Sequence, residues 1–380
     1  MMQLLVVVMA SLLVLGAPAV SAEQPTCERT DVFIGGQDGY HTYRIPALAV
    51  SAKGTVLAFC EGRKNSPRDD GDIDLLVKRS EDGGRTWSRQ SIIHEEGGDA
   101  PITIGNPCPI ADRRGVIHLL FTRNNQHLFY TRSSDDGHTW SRPVEHTAIL
   151  KGFDYPLMRI ATGPVHGIQL RSGRLVAPVW VCDRKLGEHD KNPAASRYQS
   201  GAIYSDDSGN TWKTGGLVPP ELDRLNEGTV LERSDGSLLL NLRGHQLGGF
   251  RALSESTDGG ATWSAPRLDR SLPCPTCQAS SLGISEREAL FSNPASDVRT
   301  GLTVRLSEDE GRTWSLARVL EPGPSAYSDL AATRDGDFLC LYECGTKVYY
   351  EKLTIARFNR AWLMQPATAP STPPSSGPGG

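Results

Sequence analysis

The chain has 380 residues and a formal net charge of −4, with 38% hydrophobic and 22% charged residues. This length is long for an average domain, but one closed all-β unit accommodates it. The charge excludes a basic field of the kind that holds a nucleic-acid backbone. It does not exclude an anionic small-molecule ligand, because a few well-placed arginines are enough to bind a carboxylate.

The first 22 residues predict a signal peptide. An apolar stretch runs from Leu4 to Val20 and is followed by Ser21 and Ala22, so cleavage is expected before Glu23. Because no Lys or Arg precedes this stretch, a transmembrane anchor is the alternative; the short run without basic flanks favours the signal peptide. No later segment is apolar enough to span a bilayer. We therefore expect an exported protein, either secreted or periplasmic, with no stable membrane span.

One octapeptide pattern, Ser-x-Asp-x-Gly-x-Thr-Trp, organises the rest of the chain. It occurs five times, and its tryptophans are 53, 72, 51 and 51 residues apart. Ser and Asp side chains bond to backbone N–H groups in turns, glycine supplies a positive φ, and a tryptophan ring packs against a sheet. The pattern is therefore a hairpin turn, and its Asp residues are interpreted as structural rather than catalytic. The five copies are 80–87, 133–140, 205–212, 256–263 and 307–314.

Short strand-like runs with glycine turns lie around and between these repeats, for example 75–77, 115–121 and 302–304. A period of about 50 residues with four short strands is typical of a propeller blade. Residues 23–364 therefore predict a six-bladed β-propeller, and the longest gap predicts an enlarged loop at Asp183–Arg197. Arg79 and Arg305, which precede two of the repeats, are interpreted as solvated strand residues.

Polar and aromatic segments outside the repeats stand out in a fixed order. These are Tyr43-Arg44-Ile45-Pro46, Gly62-Arg63, Arg68-Asp69-Asp70-Gly71-Asp72, Asn226-Glu227-Gly228-Thr229, Asn241-Leu242-Arg243-Gly244, Arg299 and Tyr327-Ser328-Asp329-Leu330. Together with the five repeats, they make the chain resemble the sialidase (neuraminidase) family over nearly its whole mature length. The repeats match that family's Asp boxes. The resemblance implies a six-bladed propeller with a substrate funnel at one end and the Asp boxes at the periphery of the other.

The resemblance also implies roles for seven residues. Three arginines, Arg44, Arg243 and Arg299, match those that bind the carboxylate of sialic acid, and two parallel charge-assisted bonds suit that task. Arg63 matches a further arginine in the same pocket. Tyr327 matches the nucleophile and Glu227 its base.

A neutral phenol avoids repulsion from the substrate carboxylate, yet its ordinary pKa near 10 leaves it protonated and in need of that base. A third group must protonate the leaving oxygen and later activate water. Asp69 matches this acid/base, with Asp70 as the alternative. Less firmly assigned positions are Asn106, His166–Gln169, Tyr198 and Gln199, where structural roles and substrate contacts both stay open.

The remaining features concern metals, disulfides and the C-terminus. Eight cysteines in an exported chain permit disulfides. Cys274-x-x-Cys277 and Cys340-x-x-x-Cys344 also suggest zinc, although nearby bridges or buried thiols are favoured. No His, Cys and carboxylate cluster has convincing ligand spacing, so no metal or cofactor is predicted. Residues 365–380, rich in Pro, Ser and Gly, predict a disordered tail.

The favoured function is hydrolysis of terminal α-linked sialic acid from glycoconjugates with retention, through a covalent glycosyl-tyrosine. One alternative is a trans-sialidase, which needs an acceptor platform. The other is a non-catalytic Asp-box propeller that only binds, but such a protein has no need of a nucleophile with its base. A closed propeller has no long unpaired edge, so we expect a monomer.

Overall fold

The computed structural model describes residues 23–185 and 196–365. The predicted signal peptide, most of the predicted Asp183–Arg197 loop and the predicted tail beyond Gln365 lie outside those residues. The described chain consists of strands, apart from a 3-10 helix at Thr147–Gly152 and one short helix, α1 (Arg360–Leu363). No helix in these two ranges is long and apolar enough to cross a bilayer.

Antiparallel strands that are neighbours in sequence form the sheets. After β1 (Cys27–Ile34), the first sheet contains β2 (Thr42–Val50), β3 (Val56–Arg63), β4 (Ile73–Ser80) and β5 (Ser91–His94). The second contains β6 (Ile104–Ala111), β7 (Ile117–Arg123), β8 (His127–Ser133) and β9 (Val144–Glu145). The third contains β10 (Arg159–Thr162), β11 (Ile168–Gln169), β12 (Leu175–Cys182), β13 (Tyr198–Ser205) and β14 (Lys213–Leu217). The fourth contains β15 (Leu225–Glu232), β16 (Leu238–Gly244), β17 (Phe250–Ser256) and β18 (Arg267–Pro273).

The last sheet has seven strands and includes both ends of the described chain. Its later members are β19 (Ser280–Gly283), β20 (Ala289–Pro294), β21 (Thr300–Ser307), β22 (Leu316–Ala332), β23 (Phe338–Cys344) and β24 (Lys352–Phe358). The first part of β22, as far as Pro324, pairs with β21, and its second part, from Ser325, pairs with β23. β1 pairs with β24, so the N-terminal strand is fastened to the last strand of the chain.

Apolar clusters lie between successive sheets and close them into a ring. Leu57 and Phe59 of the first sheet pack with Ile104 and Leu119 of the second. Similar clusters join the second sheet to the third, the third to the fourth, and the fourth to the seven-stranded sheet. A further cluster joins the seven-stranded sheet back to the first. The prediction of an all-β chain is therefore confirmed, and the sheets have a propeller-like arrangement.

The five octapeptide repeats form the turns that follow β4, β8, β13, β17 and β21. In the third repeat, Ser205 Oγ accepts a hydrogen bond from Gly209 N at 2.8 Å, and the Asp207 carboxylate accepts from Thr211 N at 2.8 Å and Thr211 Oγ1 at 2.6 Å. Gly209 has a φ of +78°, and a Cβ there would meet the Tyr130 hydroxyl of the preceding sheet at 2.4 Å. Glycine is thus required both for the turn and for close packing between sheets.

The prediction that Arg79 and Arg305 are solvated is wrong. The Arg79 guanidinium is largely buried, and its Nε donates to the Asp136 carbonyl in the second repeat at 2.8 Å. Arg305 is buried and donates to Asn293 Oδ1 at 2.8 Å. Charged residues that alternate with apolar ones in a strand usually face water. Here Arg79 bonds to a turn of the neighbouring sheet, whereas Arg305 bonds to a side chain on the adjacent strand β20 of its own sheet.

The repeats make stability sensitive to acid. Hydrogen bonds from Thr211 and Ser205 lower the pKa of Asp207 to about 2, below the usual value of about 3.9. The equivalent bonds lower the carboxyl pKa in the other four repeats, against any effect of burial. A depressed folded-state pKa gives stability that is present above the unfolded pKa and is lost as pH falls through the folded one. We expect the unfolding temperature to drop steeply between about pH 4 and pH 2.

Calorimetry of the wild type and Asp207→Asn across this range checks the expectation. The variant should unfold at a lower temperature than the wild type at pH 7, and the two curves should converge towards pH 2. Parallel curves over the whole range would contradict a stabilising role for the Asp207 carboxylate.

Candidate active site

A cavity of about 500 Å³ opens at one end of the ring, where the first strand of several sheets begins. β2, β6, β10 and β15 contribute Arg44, Asn106, Arg159 and Glu227 close to their N-terminal ends, and β22 contributes Tyr327 just after it joins β23. All seven residues that the sequence predicted for the site line this cavity. The five Asp residues of the repeats lie outside it.

β-Bulges present the side chains at the mouth of the cavity. The pairing register shifts between Arg44 and Ala47 in β2, Gly105 and Cys108 in β6, Leu225 and Gly228 in β15, and Ser325 and Ser328 in β22. A bulge re-aims side chains that regular alternation would direct to the opposite face. Ile45 is β-branched and has a φ of +60°, so the backbone beside Arg44 is strained.

Tyr327, Glu227 and Arg243 form one hydrogen-bonded unit. The Tyr327 hydroxyl donates to Glu227 Oε1 at 2.5 Å, and Arg243 Nη1 donates to Glu227 Oε2 at 2.5 Å and to the Tyr327 oxygen at 2.7 Å. Burial raises the pKa of Tyr327 well above 10, although the Arg243 charge opposes this shift. The resting tyrosine is therefore a phenol in direct contact with a proton acceptor, and a cation lies beside its oxygen.

Arg44 is held by a carboxylate that the sequence prediction missed. Its Nε and Nη2 donate to the two oxygens of Glu343 at 2.9 and 3.1 Å, and Glu343 is fully buried. Burial alone would lower the pKa of Arg44, but the Glu343 charge raises it. Glu343 also accepts from the backbone N–H groups of Ile45 and Tyr327. The sequence signal that could have revealed Glu343 is its charge within the otherwise apolar strand β23.

Asp69 lies on the loop between β3 and β4, between two arginines. Its Oδ1 is 2.8 Å from Arg63 Nη1 and 3.3 Å from Arg44 Nη1, and its side chain is 75% exposed. Desolvation in the cavity opposes the shift, but the charges of Arg63 and Arg44 lower the pKa of Asp69. Asp70 instead pairs with Arg68 at the exposed rim, at 2.8 Å. The two arginines thus distinguish Asp69 from its neighbour.

Arg63 is held by a buried glutamate, as Arg44 is, whereas Arg299 is held without one. Arg63 is buried, and its Nη2 pairs with Glu61 Oε2 at 2.7 Å, which fixes the arginine beneath Asp69. Arg299 Nη2 donates to the Thr276 carbonyl at 3.4 Å. The guanidinium carbon of Arg299 lies 5.4 Å from the centre of the Tyr327 ring and 4.9 Å from that of Tyr349.

The far wall of the cavity is aromatic and was only partly predicted. Tyr198 lines it, packed against Trp180 and against His245, with ring centroids 5.6 and 5.4 Å away. Arg159 Nη2 donates to the Tyr198 hydroxyl at 3.0 Å. Gln199 does not line the cavity. Arg159 and Trp180 belong to strands without any recognised motif, which is why the sequence did not reveal them.

Of the two other segments whose roles the sequence left open, one lines the cavity and the other does not. Asn106 lines the cavity. His166 lies below it, where its Nδ1 is 2.7 Å from the Asp329 carboxylate, and Gln169 is also outside the cavity. Asp329 additionally accepts from Leu48 N at 2.8 Å. His166 and Asp329 therefore tie inner strands together beneath the site.

The cysteines are thiols in this structure. All eight lie within the described residues, none forms a disulfide, and seven are buried. Cys274 and Cys277 pack with Tyr327 beneath the cavity, and burial raises the pKa of Cys277 to about 12. In the described parts of the chain, no group of three or more His, Cys, Asp or Glu side chains is arranged to hold a metal ion.

Comparisons with known proteins find a matching family and similar proteins. Residues 54–340 match the family described as the BNR repeat-like domain. The sialidase of Micromonospora viridifaciens is 34% identical over 92% of this chain and 56% of its own length. The exo-alpha-sialidase of Arthroderma benhamiae is 29% identical over 86% of this chain and 85% of its own. This chain thus spans little more than half of the bacterial relative.

Solved structures give the same result for the fold. The structure named Hadza microbial sialidase Hz136 superposes with a TM-score of 0.74 and 27% sequence identity. The match covers 87% of this chain and 68% of that one.

Proposed function

The chain belongs to the sialidase family, and from this membership and the geometry of the site we propose that it is an exo-α-sialidase. It hydrolyses terminal α-linked sialic acids of glycoproteins, glycolipids and oligosaccharides. The observation that supports this most strongly is the 2.5 Å contact between the Tyr327 hydroxyl and Glu227, in a cavity that also holds Arg44, Arg243 and Arg299. A protein that only binds sugars has no use for a tyrosine paired with its own base.

The arginines bind the carboxylate that distinguishes sialic acid from other sugars. All three arginines contact the Tyr327 side chain. The guanidinium carbons of Arg44 and Arg299 lie 5.3 and 5.4 Å from the centre of its ring, and Arg243 donates a hydrogen bond to its oxygen. A carboxylate bound among them puts the anomeric carbon next to the Tyr327 oxygen. Arginine suits this task because its guanidinium binds carboxylates with two parallel bonds.

The first step forms a glycosyl-tyrosine. The Tyr327 oxygen attacks the anomeric carbon while Glu227 takes the phenolic proton, and Arg243 stabilises the charge that develops on the oxygen. The bond to the leaving oxygen breaks, and Asp69 donates a proton to it. Substrate carboxylate bound to Arg44 weakens the field that keeps Asp69 ionised, so Asp69 takes up this proton when substrate binds.

The second step releases the sugar. Asp69, now ionised, accepts a proton from a water molecule that attacks the anomeric carbon. The Tyr327 oxygen leaves and recovers its proton from Glu227, which restores both groups. Two displacements at one carbon give net retention of configuration. No metal or organic cofactor takes part in this scheme.

The test is release of methylumbelliferone from its α-sialoside by the purified chain. Proton NMR should detect the α-anomer of free sialic acid before it equilibrates, because the reaction retains configuration. Lactose added as an acceptor should give little sialyllactose, which separates hydrolysis from transfer. A folded sample that releases nothing, or that forms the β-anomer first, would contradict the proposal.

The seven-stranded sheet can be divided into two blades at strand β22. The two parts of β22 pair with different partners, and an apolar cluster with Leu290, Val304, Leu330 and Cys340 lies between the units on either side. We therefore count the seven-stranded sheet as two blades and propose a six-bladed propeller over residues 23–364.

We further propose that the protein is exported, through a signal peptide at residues 1–22, and acts as a monomer.

A further inference from the structure

The three arginines that face the substrate carboxylate differ in how their charges are compensated. Arg44 has Glu343 as a bidentate partner, and Arg243 is 2.5 Å from Glu227. Within the described residues, Arg299 forms no ion pair, and its hydrogen bond is to the Thr276 backbone carbonyl. Arg299 therefore keeps a full positive charge for a ligand, but it lacks the carboxylate that would fix its orientation.

Two tyrosine rings take the place of that carboxylate. The guanidinium carbon of Arg299 lies 4.9 Å from the Tyr349 ring centre and 5.4 Å from that of Tyr327. Arg44 makes the same pair of contacts, at 5.5 and 5.3 Å. An aromatic face attracts a guanidinium without neutralising its charge. A carboxylate in the same position would weaken the attraction for the substrate.

The segment that carries Tyr349 is built to hold its ring in place. Between β23 and β24, the Glu351 carboxylate accepts hydrogen bonds from the backbone N–H groups of Thr346, Lys347 and Val348, at 2.9, 2.8 and 3.1 Å. These bonds lower the pKa of Glu351 to about 2, so the brace persists across the neutral range. Tyr350 packs edge-on against Tyr349, with ring centroids 5.1 Å apart.

Thr276 supports the other side of Arg299. This β-branched residue has a φ of +52°, a strained conformation that persists only where its surroundings hold it. The strained turn presents the Thr276 carbonyl to Arg299 Nη2. The position of Arg299 is thus fixed by two rings and a backbone carbonyl, without an ion pair among the described residues.

We propose that Tyr349 is a positioning residue, which orients Arg299 through its ring and leaves the charge of this arginine available to the substrate carboxylate. This inference rests on the proposed function, because it assumes that sialic acid is the ligand. It deepens that function by assigning a role in carboxylate recognition to a residue outside the recognised motifs.

The experiment compares two ligands by calorimetry: the unsaturated analogue of sialic acid, which carries the carboxylate, and its neutral methyl ester. Tyr349→Leu removes the ring and should weaken binding of the acid by about tenfold while binding of the ester changes little. Tyr349→Phe keeps the ring and should bind both ligands as the wild type does. Thermal unfolding of each variant confirms that it is folded.

Each outcome decides the question. Acid binding that Tyr349→Leu leaves intact would overturn the proposal, as would equal weakening of acid and ester, since the ring would then contact another part of the ligand. A Tyr349→Phe variant as weak as Tyr349→Leu would assign the effect to the hydroxyl and also overturn it. If the wild type binds neither ligand, the proposed function fails, and this inference fails with it.

Discussion

Tyr327→Phe is expected to lower sialoside hydrolysis by more than about a thousandfold, the scale of loss when one member of a cooperating catalytic set is removed. The variant keeps the ring that contacts Arg44 and Arg299, at 5.3 and 5.4 Å, and loses only the oxygen bonded to Glu227 and Arg243. Because the arginines remain in place, affinity for the unsaturated sialic acid analogue should stay within a few-fold of wild type. The variant therefore loses hydrolysis rate but keeps affinity for the analogue, whereas a general loss of folding would lower both.

Tyr342→Phe is the matched control. Tyr342 is fully buried in β23, away from the cavity, and its hydroxyl has no hydrogen-bond partner among the described residues. Removing an unsatisfied buried hydroxyl is close to neutral for stability or slightly stabilising. This variant should hydrolyse the substrate like the wild type. If Tyr327→Phe kept most of its activity, the tyrosine would not be the nucleophile, and Glu227 would need another partner.

The fold was predictable because its main signals are local in sequence. The turn chemistry of the repeats needs only eight consecutive residues, and the hydrogen bonds of Ser205 and Asp207 follow the expected pattern. The flanking runs became strands, for example β4 (Ile73–Ser80) and β21 (Thr300–Ser307). The burial of Arg79 and Arg305 was not predictable, because it depends on tertiary packing: Arg79 bonds to a turn of the neighbouring sheet, and Arg305 bonds to Asn293 on the adjacent strand.

The site was predictable where a recognised motif carries the residue. Arg44, Glu227 and Tyr327 were found in this way, and the structure brings them together. Glu343 and Tyr349 were missed because their roles arise from contacts with residues about 300 and 50 positions away, Arg44 and Arg299. The lone charge of Glu343 in strand β23 is visible in the sequence, but local spacing does not identify its partner. The bulges that aim the side chains were also invisible, since Ile45 reads as an ordinary strand residue.

Asp69→Asn is expected to affect substrates according to their leaving groups. A natural sialoside has a poorly acidic leaving alcohol, so losing the general acid should slow its cleavage by about 10²–10⁴-fold. An aryl sialoside has a phenolic leaving group that departs without protonation, so its first step should be nearly unaffected. Its second step lacks the base that activates water, and the glycosyl-tyrosine should accumulate. Stopped-flow fluorescence should then show a burst of released phenol followed by slow turnover.

Azide and Asp70→Asn make this test specific for Asp69. Azide is anionic and needs no general base, so it should speed the slow phase in Asp69→Asn and yield a glycosyl azide. Asp70 pairs with the exposed Arg68, whereas Asp69 lies between Arg63 and Arg44, so Asp70→Asn should show neither a burst nor azide rescue. If Asp70→Asn showed the burst and Asp69→Asn did not, the acid/base would be Asp70. Asp69 would then only compensate the positive charges of Arg63 and Arg44, since the contacts that lower its pKa do not depend on catalysis.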